Sequence, residues 1–253
     1  MLKEGVGRLV GHQWGRRLAI RGELYMAMDK REARLLVTHR EVLIARRVAT
    51  TSRLRSHLLD LDRDWDPPRS ALTTNKGIEA VIEALRAMHG TIAVIALEMA
   101  QDIHRSLQRE NEVEREVAEL TAKRSPGLLG IVGCAALTAA KIVGETGGAT
   151  RFKSRDAYAA YCGTAPVPVW SANNQRHRLS RMGNRQLNTA IHRIAVTQLR
   201  WHPPARELVQ RATARGKSKT ETMRILKRHI TNAVFRQLMA DSKAMAEVLM
   251  AAA

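Results

Sequence analysis

The chain has 253 residues, 45% of them hydrophobic and 4% aromatic, and its 42 basic against 24 acidic side chains give a net charge of +18. This composition excludes a disordered tail and favours helices over sheets, because strand-forming aromatic residues are scarce. A positive excess of this size favours a polyanionic partner. Nucleic acid is the first candidate, and an anionic membrane surface is the rival.

Membrane and secretory classes are disfavoured by the sequence. No apolar run reaches the ~18 residues that a membrane-spanning helix needs, and the first twenty residues lack the apolar core of a signal peptide. The two cysteines, Cys134 and Cys162, provide neither a disulfide framework nor a zinc site. We therefore expect a cytoplasmic, nucleoid-associated protein with no membrane partner.

A long helical region is predicted over residues 30–123, after a basic and weakly patterned segment at 1–29. Apolar residues recur at three- and four-residue steps, and "DWDPPRS" (64–70) ends the first helix because paired prolines cannot continue it. A second helix is predicted from about 76 to 123. The region is interpreted as a helical hairpin or a dimerising coiled coil, with two core helices of a bundle as the alternative.

The segment "RSPGLLGIVG" (124–133) contains the breakers that predict a domain boundary. It is followed by a predicted compact helical domain at 124–240 and a tail at 241–253. Within this domain Ser154 is predicted to cap a short helix, and "TAPVPVW" (164–170) is predicted to be extended. Further helices are predicted from about 181 and over 219–240, so the predicted fold class is mainly α.

The stretch "LLGIVGCAALTAA" (128–140) has the features of a helix-hairpin-helix element. In such an element a glycine turn joins two short helices, and its exposed amides hold a DNA phosphate without reading the base sequence. Gly130 and Gly133 are the candidate nucleic-acid-binding residues here, although Ala135 stands where many such hairpins have a second glycine. A turn that only packs two helices together uses the same small residues and is the alternative.

An acid-free segment lies between Asp156 and Glu207, where fifty residues contain no carboxylate. Seven arginines fall in it, at positions 176, 178, 181, 185, 193, 200 and 206. Arginine suits bidentate contacts with phosphate. We predict that this arginine strip, led by the first four, binds nucleic acid, whereas a solvated basic surface is the alternative.

Ser171 precedes these arginines. A lone serine is usually a helix cap or a solvated loop residue. Its hydroxyl can attack a phosphodiester when a base takes the proton and arginines stabilise the phosphate, and both Arg176 and His177 lie close in sequence. Spacing by itself does not decide between these roles.

Several longer motifs follow one another in a fixed order. They are the glycine hairpin, "TAAKIVGETGG" (138–148), "RFKS" (151–154), "AYCGTAP" (160–166), a serine, "RHRLSRMGNRQLN" (176–188) and "KSKTETMRILKRHITNAVFRQL" (217–238). This order resembles the C-terminal domain of transposases of the insertion sequence 110 family. The resemblance is close over about 125–240 and looser over 30–123, which is similar to the coiled-coil region of that family.

The resemblance implies DNA recombination by a serine nucleophile in the C-terminal domain, and that serine corresponds to Ser171. It also implies guidance by a structured RNA and an N-terminal RuvC-like half whose four acidic residues hold magnesium. The first 29 residues of this chain offer only Glu4, Glu23 and Asp29 as acids. We therefore expect an N-terminally truncated or decayed member, or one whose true start lies upstream, with no metal ligand carried over and no cofactor evident in this chain.

The resemblance thus implies a transposase-type DNA recombination protein, which we expect to be incomplete as an enzyme. Its nucleic-acid-binding residues would be Arg176, Arg178, Arg181 and Arg185. Its expected ligands are DNA and, as a further candidate, structured RNA. The expected partner of the helical region is a second copy of the chain or a full-length transposase. The alternatives are a non-catalytic remnant that modulates a full-length transposase and a basic protein that coats nucleic acid.

Overall fold

The computed structural model describes residues 3–171, 174–178 and 182–251 of the chain. This part is mainly α, which confirms the predicted fold class, and it also contains a two-stranded antiparallel sheet. The helices are α1 (Lys3–Leu61), α2 (Asn75–Arg86), α3 (Thr91–Arg124), α4 (Pro126–Leu129), α5 (Ala136–Thr146), α6 (Arg155–Tyr161), α7 (Arg185–Trp201), α8 (Pro203–Ala214) and α9 (Lys219–Ala251), and the strands are β1 (Val167–Ser171) and β2 (Asn174–Arg178).

Several helix bounds differ from the predicted ones: α7 begins at Arg185 rather than near residue 181, and α8 was not predicted. Helix α1 begins at Lys3 rather than near residue 30, since no proline interrupts the chain before residue 67. The continuous helix predicted over 76–123 was wrong, because Gly90 separates α2 from α3 with a φ of +106°, a conformation that helices do not contain. Helix α9 continues beyond residue 240 to Ala251.

The chain divides into two compact units. One comprises Leu35–Val117 and is called the bundle, and the other comprises Met1–Arg34 with Ala118–Ala253 and is called the large unit. The domain boundary predicted at residue 124, where α3 ends, stays a prediction.

The bundle is a helical hairpin with a third helix packed on it. The α1 and α3 portions run antiparallel, because Arg47 donates to Glu110 at 2.8 and 3.1 Å while Arg40, earlier in α1, donates to Glu114, later in α3, at 2.7 Å. Its apolar interior consists of Leu54, Leu58, Leu72, Ile78, Val81, Ile82, Leu85, Ala96, Ala100, Ile103 and Leu107. Dimerisation through these helices stays a prediction.

The large unit is organised around α9, which packs against α4, α6, α7 and α8, while α5 packs against α7. Tyr158 is fully buried in its core. The Tyr158 hydroxyl lies 3.1 Å from Thr146 Oγ1, and its ring stacks on Phe235 at 5.2 Å between centroids. Ser154 caps α6 as predicted, since its Oγ accepts from Ala157 N at 3.2 Å. This core fixes the helices from which the two-stranded sheet extends.

Candidate nucleic-acid interface

The two-stranded sheet carries the predicted nucleophile position. Its antiparallel register pairs Ser171 with Asn174, Val169 with Arg176 and Val167 with Arg178. Opposed residues share a face of a sheet, and so do residues two apart in a strand. The register therefore places Ser171, Arg176 and Arg178 at positions of one face, with Arg176 diagonal to Ser171.

The other face of the sheet contains the histidine that the sequence brought into consideration as a base. Here Pro168 pairs with His177 and Trp170 with Gln175. Adjacent residues of a strand lie on opposite faces, so the register separates His177 from Ser171. A role of His177 as the base therefore finds no support in this register.

The chain that leaves β2 is fixed to the chain that enters β1. Asn184 N donates to Tyr161 O at 2.7 Å. Gly183 has a φ of +113°, and a Cβ at this position would lie 2.7 Å from Gly163 N and 2.8 Å from Tyr161 O. Only glycine permits both this conformation and this approach. The glycine of "RMGNRQLN" thus holds the two ends of the sheet together.

Asn184 connects this junction to α7 and α5. Its Oδ1 caps α7 by accepting from Leu187 N at 3.0 Å, and its Nδ2 donates to Glu145 Oε2 at 2.6 Å. Glu145, whose side chain is largely buried, also places Oε1 3.4 Å from Arg34 Nε. The motifs "GETGG" and "RMGNRQLN" therefore meet through one hydrogen bond.

Asn188 joins α7 to two further elements, the segment before β1 and α9. Its Nδ2 donates to Cys162 O at 3.0 Å and to Gly163 O at 3.1 Å, and its Oδ1 accepts from the ammonium of Lys227 on α9. Lys227 is buried, and that burial lowers the pKa of its amine. A neutral side chain thus ties α7, the segment before β1 and α9 together.

Helix α7 presents arginines on one exposed face. At 100° per residue, Arg185, Arg193 and Arg200 fall within about 80° of one another around the axis. All three are exposed, as is Arg206 in the first turns of α8, and none of the four forms an ion pair with a residue that the structure describes. Such a face is available to phosphate groups. Arg181, another predicted contact, lies outside the described residues.

The predicted glycine hairpin is a turn between α4 and α5. A Cβ on Gly133, whose φ is +86°, would lie 2.9 Å from Thr197 Cβ, and Gln198 Nε2 donates to Val132 O at 2.9 Å. Packing against α7 therefore explains this glycine. Gly130 has an ordinary φ of −72°. The helix-hairpin-helix element, with phosphate contacts by these two glycines, stays a prediction.

The two cysteines are free and buried. Burial raises the pKa of each thiol, Cys134 and Cys162, to about 12. Because the thiolate is the reactive form, both side chains are neutral near pH 7 and serve the packing of the core.

No three His, Cys, Asp or Glu residues in the described part of the chain cluster so that they could hold a metal ion. These residues therefore do not fit the magnesium site of the resemblance. Across 3–171, 174–178 and 182–251, no helix is long and apolar enough to cross a membrane.

Arginines clustered on one face of a helix are a common electrostatic feature of nucleic-acid-binding proteins. Residues 126–210 match the sequence profile of the Transposase IS116/IS110/IS902 family. The chain is also 26% identical over 193 residues to the Insertion element IS110 uncharacterized 43.6 kDa protein of Streptomyces coelicolor, an alignment that covers 73% of this chain and 47% of that relative.

The matched segment is a C-terminal transposase domain of this family, which confirms the resemblance noted in the sequence. The match supports a function related to transposition. The matched region spans about half the length of the curated relative.

Some residues that organise the site were not found from the sequence. The cap by Asn184 follows a recognisable pattern, an asparagine three residues before an apolar helical position. In contrast, nothing local indicates that Asn188 meets Lys227, 39 residues away, or that Glu145 accepts from Asn184. These contacts depend on how the helices pack.

Proposed function

We propose that the chain binds DNA through the exposed arginines of α7 and presents Ser171 to a backbone phosphate as a nucleophile in DNA recombination. The observation that supports this function is the register of β1 and β2, because it sets Ser171 on the same face as Arg176 and Arg178. Without that pairing the three residues are only neighbours in the sequence.

The proposed step is a transfer of the phosphodiester to the serine. A bond forms between Ser171 Oγ and phosphorus, one existing ester bond from phosphorus to a sugar oxygen breaks, and one DNA end stays joined to the protein. The serine proton passes to water, and the leaving sugar oxygen takes a proton from water. Arg176 and Arg178 would compensate the charge that builds on the phosphate oxygens. His177 has no role in this scheme, since it lies on the other face.

The arginines of α7 would position the duplex by contacts with its phosphates. Such contacts carry no sequence information and do not by themselves separate DNA from RNA. Structured RNA is therefore a second candidate ligand of the same face. Competition between a labelled duplex and an unlabelled RNA hairpin of equal charge measures which of the two the chain prefers.

The covalent step is tested by looking for a protein–DNA adduct on a denaturing gel. Fluorescently labelled chain is incubated with duplex DNA and magnesium, with and without an unlabelled full-length transposase of the family. We expect the labelled chain to form an adduct in the mixed reaction, because by the resemblance the full-length protein supplies magnesium-binding carboxylates. The label assigns the adduct to this chain.

Ser171→Ala should abolish that adduct and leave DNA affinity nearly unchanged, since one hydroxyl contributes little beside several arginines. The matched control is Ser180→Ala, which removes another serine of the same basic segment and should form the adduct normally. An adduct that persists in Ser171→Ala identifies a different nucleophile. DNA binding without an adduct in every reaction favours the non-catalytic binding protein instead.

A further inference from the structure

A basic pocket lies beside the segment that leads into β1. Its volume is about 220 Å³, and it is lined by Gly163–Pro166 and by residues at the start of α9. Lys217, Arg224, Lys227 and Arg228 all line it. Among the described lining residues Glu221 is the one carboxylate. The pocket is therefore strongly cationic.

The carboxylate of Glu221 forms a hydrogen bond at the start of α9 and is not held only by the cations of the pocket. Ser218 N donates to Glu221 Oε2 at 2.9 Å, and Ser218 Oγ accepts from Glu221 N at 3.3 Å. This reciprocal arrangement is a capping box, and the bonds from Ser218 lower the pKa of the Glu221 carboxyl. The carboxylate thus has a structural use that leaves positive charge in the pocket.

Two of the cationic groups have hydrogen-bond donors to spare. Lys227 is only 8% exposed. Its ammonium has three donors and gives one of them to the neutral side chain of Asn188. Arg228 donates through Nη2 to Asp156, but its Nη1 is buried and has no partner among the described atoms. Buried charged donors without acceptors are unfavourable, and an anion with several oxygens would satisfy both.

We propose that this pocket binds one phosphate group of a nucleic-acid backbone. Its position favours a phosphate on a strand that also reaches Ser171. The pocket-lining Pro166 directly precedes β1, and the five residues of β1 span about 17 Å at 3.3–3.4 Å per residue. That length equals about five steps along a duplex at 3.4 Å each. The assignment to nucleic acid rests on the proposed function, whereas phosphate binding itself does not.

The nucleic-acid part is tested with Lys217→Gln combined with Arg224→Gln. The control combines Arg236→Gln with Lys243→Gln, which removes the same charge from α9 outside the pocket. Binding of a labelled duplex is measured by anisotropy across a range of KCl concentrations. The pocket variant should bind about tenfold more weakly, and its log affinity should fall with log salt less steeply, by about 0.9 for each phosphate that the protein no longer neutralises. Both the affinity and its dependence on salt should change less in the control variant.

The pocket is tested by itself by titrating the chain with inorganic phosphate. The NMR signals of the backbone amides of Gly163 and Ala165 report binding. We expect these amide signals to shift and saturate with rising phosphate concentration in the parent and in the control, and not to shift in the pocket variant. Lys227→Met, checked for an unchanged melting profile, should also show no such shifts.

The two arms separate the possible sources of phosphate. Phosphate shifts without a difference in DNA binding would overturn the nucleic-acid assignment in favour of a free phosphate compound. Equal behaviour of pocket and control variants in both arms would overturn the site. If no form of the chain binds DNA, the proposed function fails, and the phosphate arm still decides the pocket.

Discussion

In the bundle, Arg47 donates two hydrogen bonds to Glu110, and both side chains are largely buried. On α7 of the large unit, Arg185, Arg193 and Arg200 lie exposed and have no ion pair with a described residue. The side chain is the same, but one set lies among carboxylates and the other in a segment of fifty residues without any. Net charge therefore favours a class of partner, whereas the lack of nearby carboxylates indicates which surface that partner would contact.

The attachment of the sheet in the large unit uses different polar groups from those that join the long helices of the bundle. The bundle joins its long helices through arginine–glutamate pairs. The sheet of the large unit is attached instead through the neutral side chains of Asn184 and Asn188 and the close approach at Gly183. We therefore expect the exposed arginines of α7 to contribute little to folding and to be available to a ligand.

The largest expected effect is on the stability of the bundle. Glu110→Ala should lower the free energy of unfolding by about 3–5 kcal/mol, because it leaves the Arg47 guanidinium buried without its partner. Urea denaturation followed by circular dichroism measures the change. The control Glu112→Ala removes an exposed carboxylate paired with Arg109 and should cost less than about 1 kcal/mol. Equal destabilisation of the two variants would mean that the buried pair has no special role in the bundle.

A smaller effect is expected on the affinity for DNA. Replacing Arg185, Arg193 and Arg200 together by glutamine should weaken duplex binding by about 10- to 100-fold, at about 0.5–1 kcal/mol for each exposed contact. The slope of log affinity against log salt concentration should become shallower by as much as about 2.7, which is about 0.9 for each of the three arginines. The free energy of unfolding should change by less than about 0.5 kcal/mol.

The matched control replaces three bundle arginines, Arg86, Arg105 and Arg109, each of which pairs with a carboxylate of its own helix. It removes the same net charge. If both triple variants weaken DNA binding equally, binding follows total charge, and the distinction between paired and unpaired arginines has no functional meaning.

The smallest effect compares one helix cap from each unit. Thr74 caps α2 in the bundle and Asn184 caps α7 in the large unit. Either residue changed to alanine should lower the unfolding free energy by about 1 kcal/mol. Only Asn184→Ala should also speed amide exchange in β1 and β2 and weaken DNA binding severalfold, because it loosens the attachment of the sheet. Similar exchange rates in both variants would show that the sheet is held independently of this cap.

Local features of the sequence determined much of this protein. Apolar spacing predicted most of the helices but not α8, Ser154 was identified as a cap, and the run without acids singled out the segment that contains the exposed Arg185. These features depend on neighbours within a few residues, so they can be read along the chain. The break at Gly90 was missed because the apolar stripe continues across it, and a pattern of spacing does not show which glycine leaves the helical conformation.

The tertiary structure decided which of these residues act together. The sequence placed Ser171, Arg176 and His177 near one another, but the register put the histidine on the opposite face, because a shift of one residue in a strand exchanges its faces. Packing likewise brought Lys227 to Asn188 and closed Gly183 onto Gly163. Contacts between distant residues arise from the way several helices bury their apolar faces at once, and no local stretch of sequence contains that information.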